Sequence, residues 1–76
     1  MNKSRRAKIQ KLLNELEALQ PVLEEVADEE QEAFDNMPES FEGTDRYDEA
    51  EEACDNLSSA VDSLTDVIDM LTEVIG

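Results

Sequence analysis

Residues 9–37, IQKLLNELEALQPVLEEVADEEQEAFDNM, and residues 47–75, YDEAEEACDNLSSAVDSLTDVIDMLTEVI, carry the same spacing of apolar side chains. In both runs these side chains recur at steps of three and four residues, which is typical of paired α-helices. The first stripe consists of Ile9, Leu12, Leu16, Leu19, Leu23, Val26, Glu30, Ala33 and Met37. The second stripe consists of Tyr47, Ala50, Cys54, Leu57, Val61, Leu64, Ile68, Leu71 and Ile75.

The two stripes have equal length and are joined by one short connection, which favours an antiparallel helical hairpin. Paired end to end, Ile9 faces Ile75, and Glu30, the only charged member, faces Cys54. Glu30 is expected to extend toward water, with a role in register or a shifted pKa at a partner interface as alternatives. We therefore predict an all-α, coiled-coil-like hairpin that forms a single domain over residues 1–76.

The first helix is predicted over about residues 4–36, with Ser4 as its N-cap. Pro21 lies inside this range and would ordinarily end a helix, because it has no N–H to donate. The heptad spacing passes Pro21 without a change of phase and places its ring on the outermost side. We expect one helix with a kink at Pro21, and two helices separated by a break are the alternative.

The turn is predicted over about residues 37–44, where a proline ends the first helix and Gly43 supplies conformational freedom. Thr44 or Asp45 then caps a second helix over about residues 45–75. The aromatic side chains all lie near this turn, and we expect them to form a small core that closes the hairpin. A binding anchor is the alternative role for them. They are Phe34, Phe41 and Tyr47.

Charge is abundant and unevenly distributed along the chain. The 76 residues include 21 acidic and 6 basic side chains, for a net charge of −15. Five of the basic residues fall within the first eleven positions, and Arg46 is the only one after them. In a hairpin this basic end lies beside the acidic end of helix 2 and its free carbonyls. The negative body favours a basic protein partner over direct contact with nucleic acid or a membrane.

No motif in the chain points to catalysis. Histidine is absent, there is no glycine-rich loop, and the single Cys54 has no neighbouring base that would activate it. We expect no enzymatic activity, no cofactor and no metal site. The absence of a signal-peptide pattern or a membrane-length apolar run predicts a cytoplasmic location.

The outer side of helix 2 is the main candidate for a binding site. Seven of its eight outward positions are acidic, although repulsion between neighbours and the low helix propensity of Asp both disfavour such a helix. The ladder of carboxylates resembles the charge spacing of one phosphate strand, and a merely solvated surface is the alternative interpretation. The candidate partner-binding residues are Asp48, Glu52, Asp55, Asp62, Asp66, Asp69 and Glu73.

Several apolar side chains remain outside the two stripes. A second copy of the hairpin would cover them in a four-helix bundle, and a different protein is the alternative. We expect a homodimer, although these side chains flank different edges of the predicted hairpin. The main flank residues are Leu13, Val22, Phe34, Val67, Met70 and Val74.

The stretches EEQEAFDNMPES, residues 29–40, and RYDEAEEACDNLSSAVDSL, residues 46–64, carry a family resemblance. They resemble a group of small acidic helical proteins, without an assigned activity, from bacteriophages and mobile elements of Firmicutes. This resemblance implies a bacterial host cell as the setting. Small acidic phage proteins often block host factors, and some mimic DNA.

Together, charge and resemblance lead to one functional hypothesis. We expect a non-enzymatic inhibitor that occupies the nucleic-acid-binding surface of a host defence or DNA-processing protein. The alternative is a structural or adaptor module that binds a partner through its apolar flanks.

Overall fold

A computed structural model describes all 76 residues as two long antiparallel helices joined by a short turn. Helix α1 spans Lys3–Asp35, and helix α2 spans Asp45–Ile75. A single 3-10 turn, Glu39–Phe41, lies between them. The molecule is a rod of 58 × 16 × 14 Å. The predicted all-α helical hairpin is confirmed.

Helix α1 begins before the predicted N-cap. Asn2, not Ser4, caps it, because the Asn2 Oδ1 accepts a hydrogen bond from the backbone N–H of Arg5 at 2.8 Å. Asn is as good an N-cap as Ser, so the helix gains a residue at its start. The helix continues through Pro21 without a break, as expected, and Pro21 is exposed to solvent.

The turn is closed by aromatic contacts and by one glycine. Gly43 has a φ of +80°, in the left-handed region that favours glycine. Thr44 then caps α2, since its Oγ1 accepts a hydrogen bond from the Tyr47 N–H at 3.3 Å. The rings of Phe34 and Tyr47 lie 4.9 Å apart between centroids, which is within the range of favourable aromatic pairs. The predicted aromatic core is confirmed for Phe34 and Tyr47, whereas the half-buried Phe41 ring lies under the Arg46 guanidinium, 5.5 Å from it.

The opposite end of the rod carries the expected contact between the basic segment and the end of α2. The guanidinium of Arg6 donates a hydrogen bond to the backbone carbonyl of Ile75. A cation at the C-terminus of a helix also interacts favourably with the helix dipole. The partner of Arg6 is therefore a free carbonyl, one of the two kinds of group expected there.

The side of α2 that packs on α1 is the predicted one. All nine members of the predicted α2 stripe are buried or half-buried. Cys54 and Ile68 are the most buried residues of α2, at 8 % and 9 % exposure. Cross-helix contacts between Gln20 and Thr65 and between Glu30 and Cys54 follow the predicted antiparallel register.

The packed stripe of α1 differs from the predicted one at every second position. Leu12, Leu19 and Val26 are 50 %, 57 % and 45 % exposed, and Ala33 is exposed as well. Their places in the seam are taken by the residues that follow each of them. The observed stripe is Ile9, Leu13, Leu16, Gln20, Leu23, Ala27, Glu30, Phe34 and Met37.

This one-residue displacement corrects the expectation for Leu13 and Phe34. Both were expected on the outer flank, but Leu13 is the most buried residue of the chain, at 2 % exposure, and Phe34 packs on Tyr47. The displaced stripe places a Phe instead of an Ala at the turn. It also brings the Gln20 amide within 2.8 Å of the Thr65 hydroxyl, to which it donates a hydrogen bond. Paired polar groups are tolerated in a seam of this kind.

The one charged residue of the seam, Glu30, lies where it was predicted. The thiol of Cys54 donates a weak hydrogen bond to the backbone carbonyl of Glu30, with 3.6 Å between sulfur and oxygen. Burial raises the pKa of the Cys54 thiol, and the nearby carboxylates of Glu30, Asp35 and Asp55 raise it further. Cys54 is thus a protonated packing residue rather than a reactive thiolate.

Replacing Leu13 by Ala is expected to lower the free energy of unfolding by about 2–4 kcal/mol, because it leaves a cavity at a fully buried site. Leu12→Ala removes the same atoms from a half-exposed position and should cost under about 1 kcal/mol. Urea titrations followed by circular dichroism measure both losses, at concentrations where further dilution leaves the midpoint unchanged. An equal or larger loss for Leu12→Ala would mean that α1 packs through the predicted stripe.

The Cys54 thiol should react slowly with a disulfide reagent in the folded chain, because its raised pKa leaves little thiolate below the ordinary value of 9.0. Glu30→Gln removes one of the charges that raise this pKa, so the pH profile of the reaction should move to lower pH. Glu25→Gln is the matched control and should leave the profile unchanged. A native reaction rate equal to that in urea would contradict the buried position of Cys54.

Candidate functional site

Two shallow grooves along the hairpin distinguish its two broad sides. On one side, Ala33 of α1 borders a groove together with Arg46 and Ala50 of α2. On the other side, Glu24 of α1 borders a groove together with Asp62 of α2. Side chains seven residues apart lie on the same side of a paired helix, so these grooves assign the rest of each helix to a side.

The first side collects the apolar residues that the seam leaves out. In α1, Val26, Leu19 and Leu12 precede Ala33 at intervals of seven residues and lie on the same side. In α2, Ala53, Ala60, Val67 and Val74 follow Arg46 at the same interval and form the second row on this side. We call this surface the apolar face, and its residues are Leu12, Leu19, Val22, Val26 and Ala33 of α1 with Ala53, Ala60, Val67, Met70 and Val74 of α2.

The apolar face accounts for nearly all the exposed large apolar side chains of the molecule. Eight such side chains are exposed, and seven belong to this face, with Met1 the exception. Leu19 and Met70 are each 57 % exposed. The expectation that the apolar flanks of the two helices occupy different edges is therefore wrong. Once Leu12, Leu19 and Val26 leave the seam, both flanks lie on one side.

The outer side of α2 carries the predicted acidic residues. Every one of them is exposed to solvent, and none makes a side-chain hydrogen bond within the hairpin. We call this row the acidic ladder, and it consists of Asp48, Glu52, Asp55, Asp62, Asp66, Asp69 and Glu73.

Acidic residues of α1 extend the negative surface around the rod. Glu24 and Asp28 border the second groove, opposite Ser58 and Asp62 of α2. This groove has a volume of about 210 Å³ and is open to solvent. No group of three or more acidic or cysteine side chains is arranged to hold a metal ion. Both grooves are shallow and lie between the exposed sides of the two helices.

Three residues of the apolar face were predicted from the sequence to lie in the core, but they lie on the surface. Leu12, Leu19 and Val26 fit the heptad as well as their neighbours do, so spacing alone placed them in the core. The signal that could have found them is the choice between Ala33 and Phe34 at the turn, where only Phe34 can stack on Tyr47. Neither helix has a stretch long and apolar enough to cross a membrane.

Residues 7–73 match the MbeD/MobD-like family. MbeD and MobD are mobilisation-related proteins of mobile elements, which agrees with the mobile-element setting implied by the sequence resemblance. No curated protein and no solved structure shows significant similarity to the chain. Because the match covers almost the whole of α1, the turn and α2, the chain belongs to the MbeD/MobD-like family.

Proposed function

We propose that this protein is a non-enzymatic accessory protein in the mobilisation of a mobile element, and that it acts by binding a basic, DNA-processing protein of that system. Family membership supports the setting. The observation that carries the mode of action is the acidic ladder, an exposed row of carboxylates along one helix. Its partner is a protein with a matching basic surface, located in the cytoplasm of the bacterial cell.

The ladder has a physical cost that a purely structural surface would avoid. Its carboxylates follow one another about every 5 Å along the helix axis, given a rise of about 1.5 Å per residue, except across Ser59, where the step is about 10 Å. Like charges at this spacing each destabilise a helix by about 0.2–0.5 kcal/mol, and Asp is a poorer helix former than Glu. Arg46 is the only basic residue of α2 and precedes the ladder, and its guanidinium lies over the ring of Phe41. No basic side chain within the ladder therefore relieves the repulsion. Binding a basic partner would offset this cost.

The finer form of the proposal is that the ladder takes the place of nucleic acid on its partner. One strand of DNA presents a phosphate charge every ~3.4 Å, and a rigid row of carboxylates presents a comparable line of negative charge. Such a mimic would inhibit or regulate the DNA binding of its partner. A DNA-processing protein of the host, including a defence protein, is a partner of the same chemistry.

A second candidate function follows from the apolar face. Seven large exposed apolar side chains on one side form a surface suited to binding another protein. In this case the hairpin would be an adaptor that binds through the apolar face, and the acidic residues would serve solubility alone.

Reversing three rungs of the ladder, with Asp55→Lys, Asp62→Lys and Asp69→Lys, is expected to abolish both partner binding and stimulation of DNA transfer. The matched control reverses Glu17, Glu25 and Glu32 on α1, which changes the net charge from −15 to −9 in the same way. Affinity capture from cells that carry the element, with bound proteins identified by mass spectrometry, measures binding. The frequency of DNA transfer measures the role in mobilisation.

The outcomes separate the candidates. If the ladder variant and the control lose binding equally, the ladder has no specific role. If both keep binding, and Val67→Asn with Val74→Asn loses it, the adaptor function replaces the proposed one. If the captured protein binds the chain and duplex DNA at the same time, DNA mimicry is wrong and the accessory role stands. Unchanged transfer without the chain would contradict a role in mobilisation.

A further inference from the structure

The apolar face is organised in four rungs across the hairpin. Each rung pairs one residue of α1 with one of α2, and the two residue numbers add to 86 in every case. The two rungs nearest the open end of the hairpin each pair a Leu with a Val, and the two rungs nearer the turn are smaller. They are Leu12 with Val74, Leu19 with Val67, Val26 with Ala60, and Ala33 with Ala53.

A single hairpin leaves this face without cover and has little core of its own. Only Leu13, Cys54 and Ile68 are buried among the 76 residues. Along about 45 Å of paired helix, a face 16 Å wide would bury roughly 700 Å² per copy. That area approaches the ~800 Å² per partner of a stable, specific interface.

We propose that a second copy of this chain covers the apolar face, with a two-fold axis perpendicular to the rod, so that the two hairpins run in opposite directions. The axis would pass between residues 22 and 23 of α1 and between residues 63 and 64 of α2. This position follows from the rungs, because it superposes large rungs on small ones. The dimer is a four-helix bundle in which adjacent helices are antiparallel.

The sizes of the side chains favour this arrangement. Leu12 and Val74 would face Ala33 and Ala53 of the second copy, so the widest rung meets the narrowest. The two middle rungs meet each other in the same way. A two-fold axis along the rod would instead set the Leu12 rung on its own copy and the Ala33 rung on its own copy. That packing would crowd one end of the bundle and leave a void at the other.

Charge favours the same arrangement. The first eleven residues carry five basic side chains and no acidic one, and residues 66–76 beside them carry three acidic ones, so the open end of the hairpin has a side-chain charge of +2. Residues 37–49, at the turn, carry five acidic side chains and one basic one. Opposite orientation places the basic end of each copy beside the acidic turn of the other. An axis along the rod would place the two basic ends together and the two acidic turns together, which is unfavourable.

One pair opposes the proposed arrangement and makes it testable. Glu15 and Glu29 both project beside the apolar face, and each would lie opposite the other residue in the second copy. Glu29→Lys would turn two repulsions per dimer into attractions. We expect it to tighten the dimer about tenfold more than Glu25→Lys, which changes the net charge equally but lies away from the face.

The arrangement also has a consequence for the acidic ladders. With the hairpins reversed, α2 of one copy lies beside α2 of the other, so both ladders would lie on the same side of the bundle and run in opposite directions. The dimer would then present a broader negative surface to a basic partner than either chain does. This proposal does not rest on the proposed function, since it uses only the apolar face and the charges around it.

Sedimentation equilibrium tests the dimer. The native chain is expected at twice its mass of 8.6 kDa, and Leu19→Glu with Val67→Glu is expected at 8.6 kDa with its helical circular dichroism retained. Gln31→Glu with Ser58→Glu adds the same charge on the opposite side and should remain dimeric. A native chain that stays at 8.6 kDa at roughly 100 μM, far above the Kd of specific dimers, would overturn the proposal and leave the face to a different protein.

Oxidative cross-linking tests the orientation. In a Cys54→Ala background, which removes the only native thiol, Val22→Cys should form a disulfide between copies because position 22 lies at the proposed axis. Leu12→Cys is the matched control and should form no disulfide between copies, because position 12 lies opposite Ala33 of the second copy. A dimer in which Val22→Cys fails to cross-link, or in which Glu29→Lys acts no differently from Glu25→Lys, would overturn the opposite orientation. Neither experiment depends on the partner of the acidic ladder.

Discussion

The seam between α1 and α2 depends on which of two neighbouring α1 side chains is buried against α2 at every second position of the stripe. At the turn of the hairpin either Ala33 or Phe34 could be buried, and the tilted contact between the rings of Phe34 and Tyr47 favours Phe34. The helix is rigid, so the same rotation applies along its length and buries Leu13 in place of Leu12. The cost is that Leu19 and Val26 leave the seam, and that Ala27 and the polar Gln20 take their places, Gln20 with a hydrogen bond to Thr65.

That rotation also sorts the surface of the molecule. With Leu12, Leu19 and Val26 turned out of the seam, both helices present their unused apolar residues on one side. The acidic ladder occupies the outer side of α2. The exposed apolar side chains and the acidic ladder are thereby separated on a rod only 16 Å wide. This chain of the MbeD/MobD-like family therefore carries two chemically different surfaces on different sides of the hairpin.

Much of this structure is predictable from the heptad spacing, and the limit of that prediction has a physical cause. Apolar periodicity predicts the two helices, the passage of α1 through Pro21 and the packed side of α2. Antiparallel pairing predicts that Glu30 lies opposite Cys54. The packed side of α1 does not, because Leu12 and Leu13 satisfy the spacing equally well. Only the partner helix decides between them. The acidic ladder was predictable because it lies on the side of α2 opposite its packed stripe, whereas the apolar face depends on the rotation of α1, which the spacing leaves undecided.

The rotation of α1 can be measured through the leucine and valine methyl groups. In a spectrum of methyl-labelled protein, a soluble paramagnetic probe broadens each signal according to its exposure. At high dilution the signals of Leu12, Leu19 and Val26 should broaden strongly while that of Leu13 stays sharp, because only Leu13 is fully buried in the hairpin. Equal broadening of Leu12 and Leu13, or a sharper signal for Leu12, would contradict the displaced seam and with it the single apolar face.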